Sequence, residues 1–424
     1  MRESNYNFFI KNEENNGVIA YNSFTSAMAM MNNEEFERFN SSKENDFDSC
    51  DEETIKLLKN NGYIIEDDYK ELDTIECDFL NAKYSNNFMV LTIAPTEDCN
   101  FRCIYCYEKN SIKPKYMDIK TADNVVSYIK KRIKDIRGLK INWYGGEPLL
   151  GMNIIKHISE SVIKLCDENN VYFDASIVTN GYFLNEKNLD ILSSCKVKSI
   201  QVTIDGNKEI HDKRRFLNGG GPTFDTIIKN LRLIKNYDVN VNLRVNIDKT
   251  NVHIVEEVTS IIKKINGGKN ISCYLGMVTS TDGCYKKSEC FNTEEFSYKN
   301  LDFHIKNYED ISYMYPNIRK LACGAEGAFS LVIGADGETY KCWEDMGKKG
   351  LSTGNINGEI SFYNKNNIRY LSNNPINHKS CRECNVLPLC MGGCLKKIKG
   401  EDACDVIKYT LESVIKEIYA TNKI

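Results

Sequence analysis

Residues 97–108 read Glu-Asp-Cys-Asn-Phe-Arg-Cys-Ile-Tyr-Cys-Tyr-Glu, and this is the most informative segment of the sequence. Cys99, Cys103 and Cys106 stand in it with the spacing C-x3-C-x2-C. Three thiolates this close together can each bind one iron of a four-iron cubane, which leaves the remaining iron without a protein ligand. A zinc knuckle or buried core cysteines are the alternatives. The spacing predicts a metal centre.

The region around this array alternates between strands and helices. The apolar run before it, Val90-Leu91-Thr92-Ile93-Ala94-Pro95, predicts a buried strand, so the array lies at the carboxyl end of that strand, where α/β barrels keep their chemistry. Helical segments separate most of the predicted strands, which favours a parallel α/β barrel. The predicted strands are Val90–Ala94, Ile141–Tyr144, Ala175–Thr179, Ser199–Ile204, Val239–Ile247 and Ile271–Met277.

Composition restricts the class of protein. The 424 residues are 42% hydrophobic, enough for the cores of two or three domains. The net charge of −4 gives no basic field, so nucleic acid is not an expected partner. No apolar run of about 18 residues predicts a membrane span, and residues 1–5 lack a signal-peptide pattern, so we expect a cytoplasmic protein without a membrane partner. In a reducing cytoplasm, the seventeen cysteines are more naturally metal ligands than disulfides.

The cysteine array resembles the cluster loop of the radical S-adenosylmethionine (radical SAM) superfamily. That loop carries the same spacing with an aromatic residue, here Tyr105, before the last cysteine. The resemblance implies a [4Fe–4S] cluster whose open iron is chelated by the amino and carboxylate groups of S-adenosylmethionine (SAM). It also implies that the predicted strands form the open, partial (β/α)6 barrel of that superfamily.

Residues at other strand ends match further motifs of the same superfamily. Gly145 and Gly146 would let the backbone approach a ligand closely, and the resemblance implies that Glu147 accepts from the methionyl ammonium. Thr203 and Arg215 resemble the hydroxyl residue and the arginine that reach the cofactor in the peptide- and protein-modifying branch. Arg215 would offer a fixed fork of donors to the methionyl carboxylate. The alternatives are an ordinary β-turn, local capping and a surface ion pair.

Residues 1–85 are polar and predict a small α+β domain. Two short strands, Tyr6–Ile10 and Val18–Tyr21, precede predicted helices over Ser26–Phe39 and Glu52–Asn60. This order resembles the winged-helix-like peptide-recognition domain (RiPP recognition element) of enzymes that modify ribosomally made peptides. In such a domain, a leader peptide adds a strand to an exposed sheet edge. A plain N-terminal extension packed on the barrel is the alternative.

More cysteines follow a regular spacing toward the C-terminus, at Cys323, Cys342, Cys381, Cys384, Cys390, Cys394 and Cys404. A zinc ribbon would use four of these seven and leave three unexplained. The string C-x13-G-x4-C, gap, C-x2-C-x5-C-x3-C, gap, C resembles the SPASM extension of radical SAM enzymes. That resemblance implies two auxiliary [4Fe–4S] clusters, and three clusters in total. The predicted domains are therefore peptide recognition over 1–85, a radical SAM partial barrel over 86–305 and a SPASM domain over 306–424.

The resemblance also implies how the auxiliary ligands divide. The distal cluster would take Cys381, Cys384, Cys390 and Cys404, and the proximal cluster Cys323, Cys342 and Cys394. Relatives with a fully ligated proximal cluster carry another cysteine shortly after the first, and Gly324–Phe329 contains none. Either the proximal cluster keeps an open iron, or a more distant thiol such as Cys284 or Cys290 completes it. An open iron would bind and deprotonate a substrate thiol.

These features predict a radical SAM oxidoreductase that abstracts hydrogen from a ribosomally made precursor peptide and forms a thioether between a cysteine sulfur and a carbon, as in sactipeptide and ranthipeptide maturation. Expected partners are the leader and cysteine-containing core of that peptide and a flavodoxin- or ferredoxin-type electron donor. Carbon–carbon crosslinking, of the cyclophane or quinone-cofactor type, is one alternative. Anaerobic sulfatase-type formylglycine maturation is another, although such relatives carry an aspartate where this chain has Trp343. An electron carrier or a non-catalytic leader-binding module would not need Gly145-Gly146-Glu147.

Overall fold

A computed structural model of the chain describes residues 1–12, 16–48, 50–109, 112, 114–265, 270–397 and 403–422. Its contacts divide the chain into two compact units. The first comprises Met1–Lys83, Asn292–Cys323 and Asn373–Ile424, and the second comprises Tyr84–Phe291 and Gly324–Ser372. Each unit joins segments that are distant in sequence, and the sequential domain boundaries given above stay a prediction.

The secondary structure alternates as follows. The strands are β1 (Arg2–Glu3), β2 (Asn7–Asn12), β3 (Gly17–Asn22), β4 (Ala27–Asn32), β5 (Ile64–Ile65), β6 (Phe88–Ile93), β7 (Gly138–Trp143), β8 (Tyr172–Thr179), β9 (Val197–Thr203), β10 (Asn240–Ile247), β11 (Ile271–Met277), β12 (Ser330–Ile333), β13 (Glu338–Tyr340) and β14 (Gly354–Asn355). The helices are α1 (Asn33–Ser42), α2 (Glu52–Asn60), α3 (Glu71–Tyr84), α4 (Ile119–Lys130), α5 (Met152–Glu168), α6 (Glu186–Ser194), α7 (Lys208–Arg214), α8 (Phe224–Leu231), α9 (Val255–Lys264), α10 (Thr293–Asn307), α11 (Lys365–Leu371), α12 (Lys379–Arg382), α13 (Leu387–Cys390) and α14 (Ile407–Asn422).

The first unit contains an antiparallel sheet in the order β2-β3-β4. The central strand β3 is buried along its whole length. Ile10, Ile19 and Tyr21 pack with Leu411 and Ile415 of α14. The terminal helix therefore contributes to the core of this sheet, which a linear division of the chain does not anticipate.

The predicted helix over Ser26–Phe39 is wrong in its first half. Ala27–Asn32 forms β4, in which Ala29 pairs with Ala20 of β3, and α1 begins only at Asn33. A capping box marks that start, because the Asn32 side chain accepts from Glu35 N at 2.9 Å and the Glu35 carboxylate accepts from Asn32 N at 2.8 Å. Pairing with a buried strand has overridden the helical propensity of the alanines and methionines. The predicted helix over Glu52–Asn60 is confirmed as α2.

The second unit is built on a mostly parallel sheet in the order β11-β10-β9-β8-β7-β6-β12-β13-β14. Strands β6 to β11 are all parallel to their neighbours, and helices separate them along the chain. All six strands predicted from the sequence are present, with their ends within three residues of those expected. The α/β class of the prediction is therefore confirmed, while closure of the sheet into a partial barrel stays a prediction.

The sheet extends beyond the predicted strands. β12 lies parallel to β6, with Ile333 opposite Ile93, and the antiparallel strands β13 and β14 follow it. The sequence did not predict this extension, because four residues of β12 carry no periodic pattern long enough to identify a strand.

Burial in the parallel strands alternates as the period of a strand requires. In β7, Leu139, Ile141 and Trp143 are fully buried, and in β8 every second residue from Phe173 to Thr179 is buried. Because parallel strands end at one edge of their sheet, the loops after β6 to β11 emerge on the same side. The predicted SAM-site residues lie in these loops, except Thr203, which is the last residue of β9. None of the described helices is both long and apolar enough to cross a bilayer.

Candidate cofactor-binding site

The predicted cysteine array lies in the loop after β6 and is bonded to the segment that follows α7. Arg102 N donates to Phe216 O at 2.9 Å, and Ile104 N donates to Arg214 O at 3.0 Å. These backbone bonds hold the array beside the part of the chain that carries the predicted cofactor arginine.

The thiols of the array are reduced, half-buried and close enough to influence one another. Burial, and secondarily the charge of Glu147, raises the pKa of Cys99 to about 12. Burial likewise raises the pKa of Cys103 and of Cys106, and the neighbouring thiols raise the pKa of Cys106 further. Such thiols stay protonated until a cation displaces the proton, as iron does. This donor set therefore fits a cluster.

The thiols of the array do not form a single-ion site. Among the residues that the structure describes, no group of three or more His, Cys, Asp and Glu side chains is arranged to hold one metal ion. A zinc knuckle requires such convergence. In a cubane each thiolate binds a different iron, so separated thiols are compatible with a cluster.

The Gly-Gly-Glu backbone packs directly against the start of the cysteine loop. Gly145 has a φ of +114°, and a Cβ there would lie 2.3 Å from Thr96 O. A Cβ on Gly146 would lie 2.2 Å from Asp98 O. Neither position has room for a side chain, so these glycines are needed for contact between the two loops.

The Glu147 carboxylate is fully buried and joins the ends of β7 and β8. Its Oε1 accepts from Thr179 Oγ1 at 2.7 Å and from Leu149 N at 3.0 Å, and its Oε2 accepts from Asn180 N at 2.8 Å. Burial raises the pKa of Glu147 to about 6, against the lowering effect of these bonds. Three of about four acceptor positions are occupied, so its contact with an ammonium stays a prediction.

The Tyr105 hydroxyl is the centre of a buried network. It donates to Asp205 Oδ2, accepts from Arg215 Nη1 at 2.7 Å and accepts from Asn246 Nδ2 at 3.0 Å. Tyr105 and Arg215 were predicted site residues, and the structure brings them into direct contact. Asp205 was missed, although a carboxylate directly after the buried residues Thr203 and Ile204 was the available signal.

Arg215 has the properties of an anion-binding group. It is only 7% exposed, and its Nε has no hydrogen-bond partner among the described residues. Burial lowers its pKa, but the charges of Cys103, Tyr105 and Asp205 outweigh that effect and raise the pKa above its usual value. Thr203, at the end of β9, is also buried. Both side chains fit a bound SAM.

Residues 93–262 match the family model described as the radical SAM superfamily. The match covers the cysteine array, the Gly-Gly-Glu turn, Thr203 and Arg215. This part of the chain is a radical SAM domain. A domain of this family implies a [4Fe–4S] cluster and SAM, which agrees with the thiol loop and with the buried Arg215, whose Nε has no hydrogen-bond partner among the described residues.

Several relatives align beyond or within this domain. The chain is 34% identical over 185 residues to an uncharacterized protein of Methanocaldococcus jannaschii, which covers 43% of this chain and 60% of that protein. It is 25% identical over 368 residues to the radical SAM cyclopropyl synthase TigE of Paramaledivibacter caminithermalis, covering 77% of this chain and 73% of TigE. It is 25% identical over 331 residues to the cysteine-type anaerobic sulfatase-maturating enzyme of Clostridium novyi, covering 70% of this chain and 85% of that enzyme.

Solved structures share the fold. The structure of anSMEcpe with bound AdoMet and the Cp18Cys peptide has a TM-score of 0.60 and 20% identity, covering 78% of this chain and 97% of that one. The structure of Streptococcus suis SuiB bound to precursor peptide SuiA has a TM-score of 0.53 and 14% identity, covering 95% of this chain and 98% of that one. The radical SAM domain and its surroundings therefore have the α/β fold of these enzymes.

A row of aromatic rings lies beside the radical SAM cluster loop. The hydroxyl of Tyr107, next to Cys106, contacts the hydroxyl of Tyr144. Tyr144 stacks on Trp343, with ring centroids 5.3 Å apart and planes at 13°. Trp343 is 47% exposed and follows Cys342. The sequence identified Trp343 as a departure from the sulfatase pattern but did not predict this stack, whose members come from three distant segments.

The predicted distal-cluster cysteines are neighbours within the first unit. The pKa of Cys381 is raised by burial and then by Cys404 and Cys384. Burial raises the pKa of Cys390 to about 11, with a contribution from Cys404. Lys408 Nζ lies 3.4 Å from Cys404 Sγ and places a positive charge beside that thiol. Cys404 is therefore near enough to Cys381 and Cys390 to influence their pKa, and ligation of a cluster by the four thiols stays a prediction.

The predicted proximal ligands belong to different units. Cys323 and Cys394 are in the first unit, where Cys394 N donates to Ala403 O at 2.9 Å, and Cys342 is in the second. Of the alternative fourth ligands, Cys284 lies against the radical SAM loop, with its Sγ 3.7 Å from Tyr105 O. Cys290 Sγ lies 3.5 Å from Lys286 O. The proximal ligand set stays a prediction.

Proposed function

We propose that this protein is a peptide maturase that uses radical SAM chemistry to join a cysteine sulfur to a carbon of the same precursor peptide. A peptide substrate is supported by the relatives and by solved structures named with bound peptides, Cp18Cys on anSMEcpe and SuiA on SuiB. The thioether reaction is supported by the cysteine spacing: three cysteines are predicted as proximal ligands, and Gly324–Phe329 offers none as a fourth.

We assign the cofactor contacts to the buried site of the second unit. Cys99, Cys103 and Cys106 would hold the cluster, and Arg215 would grip the methionyl carboxylate with the donors that it does not use on Tyr105. When bound, the cluster and SAM supply a 5′-deoxyadenosyl radical able to take hydrogen from an unactivated carbon. Gly145, Gly146 and Glu147 keep the neighbouring strand ends in contact with the cluster loop.

The auxiliary cysteines would complete the reaction. Cys323, Cys342 and Cys394 would hold the proximal cluster, and its open iron would bind the substrate thiol as thiolate, with release of one proton. Bond formation between that sulfur and the carbon radical leaves one surplus electron, which the two auxiliary clusters would accept. The product has lost one hydrogen from carbon and one from sulfur, so its mass falls by two hydrogens per crosslink.

Sulfatase-type maturation is the second candidate, because cysteine-type anaerobic sulfatase-maturating enzymes are among the relatives. The residue after Cys342 argues against it. That residue is Trp343, whose ring is stacked on Tyr144, and an indole cannot act as the base that an aspartate provides.

We further propose that the sheet of the first unit receives the leader of the precursor peptide. Its edge strands β2 and β4 each have one side without a strand partner in the described part of the chain. An extended peptide could add there through backbone hydrogen bonds.

Mass spectrometry of a precursor peptide co-expressed with this protein tests the reaction. The candidate substrate is a short cysteine-containing peptide encoded beside the gene. A loss of two hydrogens per crosslink, with the cysteine protected from alkylation, supports the thioether. A product that has lost two hydrogens but whose cysteine is still alkylated would identify carbon–carbon crosslinking, and formylglycine would identify the sulfatase-type reaction.

A further inference from the structure

The hydroxyl of Tyr105 has no hydrogen-bonding capacity left for a ligand. A phenol provides one donor and two acceptor positions. The donor is used on Asp205, and the acceptors are used by Arg215 Nη1 at 2.7 Å and Asn246 Nδ2 at 3.0 Å. Tyr105 can therefore meet a cofactor only through its ring or its backbone, and these bonds fix where the ring stands.

Asp205 sets the direction of this network. Its side chain is fully buried, its Oδ1 accepts from Asn246 N at 3.2 Å and its Oδ2 lies 3.5 Å from Arg214 Nε. Asp205 Oδ2 accepts from the Tyr105 hydroxyl, so the hydroxyl hydrogen points toward Asp205. The lone pairs of Tyr105 are consequently left to face Arg215.

Arg215 is the end of this chain of contacts. One nitrogen is held by Tyr105, while Nε is buried and has no hydrogen-bond partner among the described residues. A guanidinium anchored at one nitrogen presents its remaining donors in a fixed orientation. A ligand carboxylate then loses less entropy in binding it than in ordering a mobile arginine.

We propose that Asp205 is a positioning residue for SAM, acting through Tyr105 on Arg215. The inference rests on the proposed contact between Arg215 and the methionyl carboxylate. Asp205 would not touch SAM. It would hold Tyr105 in the one hydroxyl orientation that anchors Arg215.

A double-mutant cycle tests this assignment. The dissociation constant of SAM is measured by equilibrium dialysis on the anaerobically reconstituted full chain, for wild type, Asp205→Asn, Tyr105→Phe and the double variant. Each single substitution should weaken SAM binding about tenfold, the loss expected for one charge-assisted hydrogen bond. The double variant should bind no more weakly than Tyr105→Phe alone, because both changes break the same chain of contacts. Multiplied losses in the double variant would overturn the proposal.

Asp248→Asn is the matched control. Asp248 is also fully buried, and its Oδ2 accepts from Arg214 Nη2 at 2.9 Å, but it does not contact Tyr105. This variant should bind SAM within about twofold of wild type. If Asp248→Asn weakens SAM binding as much as Asp205→Asn does, the role of Asp205 is structural only. Iron content and the change in the electron paramagnetic resonance signal of the reduced cluster at saturating SAM should be retained in Asp205→Asn.

A second variant keeps the test decisive if Asp205→Asn does not fold. Asn246→Ala removes another bond to the Tyr105 hydroxyl. Its effect on SAM affinity should also vanish in the Tyr105→Phe background, and persistence there would contradict the proposal. Wild-type protein that binds no SAM would overturn this inference together with the proposed function, whereas an unmodified peptide with normal SAM binding would overturn the thioether reaction alone.

Discussion

At Glu147, complete burial and three internal donors act in opposite directions on one carboxyl group. Burial favours the protonated acid and raises the pKa to about 6, while the bonds from Thr179, Leu149 and Asn180 favour the carboxylate. Each donor comes from a strand end or the turn beside it. Through these hydrogen bonds the side chain holds the loops of the site together, in addition to any contact that it makes with a cofactor.

We predict that Glu147→Gln lowers the free energy of unfolding by about 1–3 kcal/mol, because an amide NH2 would face a backbone or hydroxyl donor in place of an acceptor. Anaerobic denaturant unfolding measures this change. Glu160→Gln is the control, since that side chain is 64% exposed on α5 and should shift stability by less than about 0.5 kcal/mol. Equal stability of Glu147→Gln and wild type would show that the internal bonds contribute nothing.

Sequence patterns identified the site residues better than their partners. Tyr105, Glu147 and Arg215 stand in recognisable motifs, and the structure places them in adjoining loops of the second unit. Their partners Asp205 and Asn246 follow or end different strands, so only the parallel sheet brings them together. Contacts of this kind depend on register between strands, which local sequence does not specify.

At the scale of elements, contact between two loops determines the shape of the site. A Cβ on Gly146 would lie 2.2 Å from the backbone oxygen of Asp98, which cannot move aside without moving the cysteine loop. The glycine is therefore a packing requirement of the loop pair.

We predict that Gly146→Ala destabilises the fold by about 1–3 kcal/mol through overpacking and reduces the iron retained after reconstitution. Thermal unfolding and iron analysis of the purified variant measure both effects. Gly358→Ala is the matched control, because a Cβ there meets nothing within 4 Å. Normal iron content in Gly146→Ala would mean that the cysteine loop tolerates displacement.

The helix α10 carries a buried histidine that makes the first unit sensitive to acid. His304 is 7% exposed, its Nδ1 lies 2.6 Å from the Tyr313 hydroxyl, and burial lowers its pKa from 6.5 to about 4. Between these values the unfolded chain binds more protons than the folded one. The stability contributed by neutral His304 is therefore present above about pH 6.5 and is lost as the pH falls toward 4.

We predict that His304→Gln reduces the loss of unfolding free energy between pH 7 and pH 5 by about 2 kcal/mol. Urea unfolding of the variant and of wild type at both pH values measures the difference. His253→Gln, at an exposed position, should show the wild-type pH dependence. If the unfolding free energy of His304→Gln falls between pH 7 and pH 5 as much as that of wild type, His304 is not the source of the acid sensitivity.

Elements with a long periodic pattern were predictable, and those defined by their partners were not. The strands from β6 to β11 and helix α2 follow the sequence pattern closely. The sequence pattern predicts a helix where β4 lies, because its alanines and methionines favour a helix. Pairing with β3 makes this segment a strand instead. β12 was missed because its neighbour β6 lies far away in the sequence.

At the scale of the whole molecule, the cysteines separate by unit. Cys99, Cys103, Cys106 and Cys342 belong to the second unit, and the other predicted cluster ligands belong to the first. Cys166, Cys195 and Cys273 are buried in strands, helices or their ends, as small core residues commonly are. These three buried cysteines lie outside the ten predicted ligands.

We predict about twelve irons per reconstituted chain, from three four-iron clusters. Replacing Cys99, Cys103 and Cys106 together by alanine should remove about four of them, and so should replacing the group of Cys381, Cys384, Cys390 and Cys404. Cys166→Ala, a buried residue outside the set, should keep the full content. A content of about four irons per wild-type chain would contradict the two auxiliary clusters and would be explained by the radical SAM cluster alone.

The release of 5′-deoxyadenosine distinguishes a radical SAM enzyme from a protein that only binds iron. Wild-type protein, reconstituted and reduced under anaerobic conditions with SAM, should form 5′-deoxyadenosine, which liquid chromatography with mass spectrometry quantifies. The Cys106→Ala variant should form none, because it lacks one thiolate of the cluster loop, while Cys166→Ala should match wild type. Wild-type protein that binds iron yet forms no 5′-deoxyadenosine would show that this chain does not catalyse radical SAM chemistry.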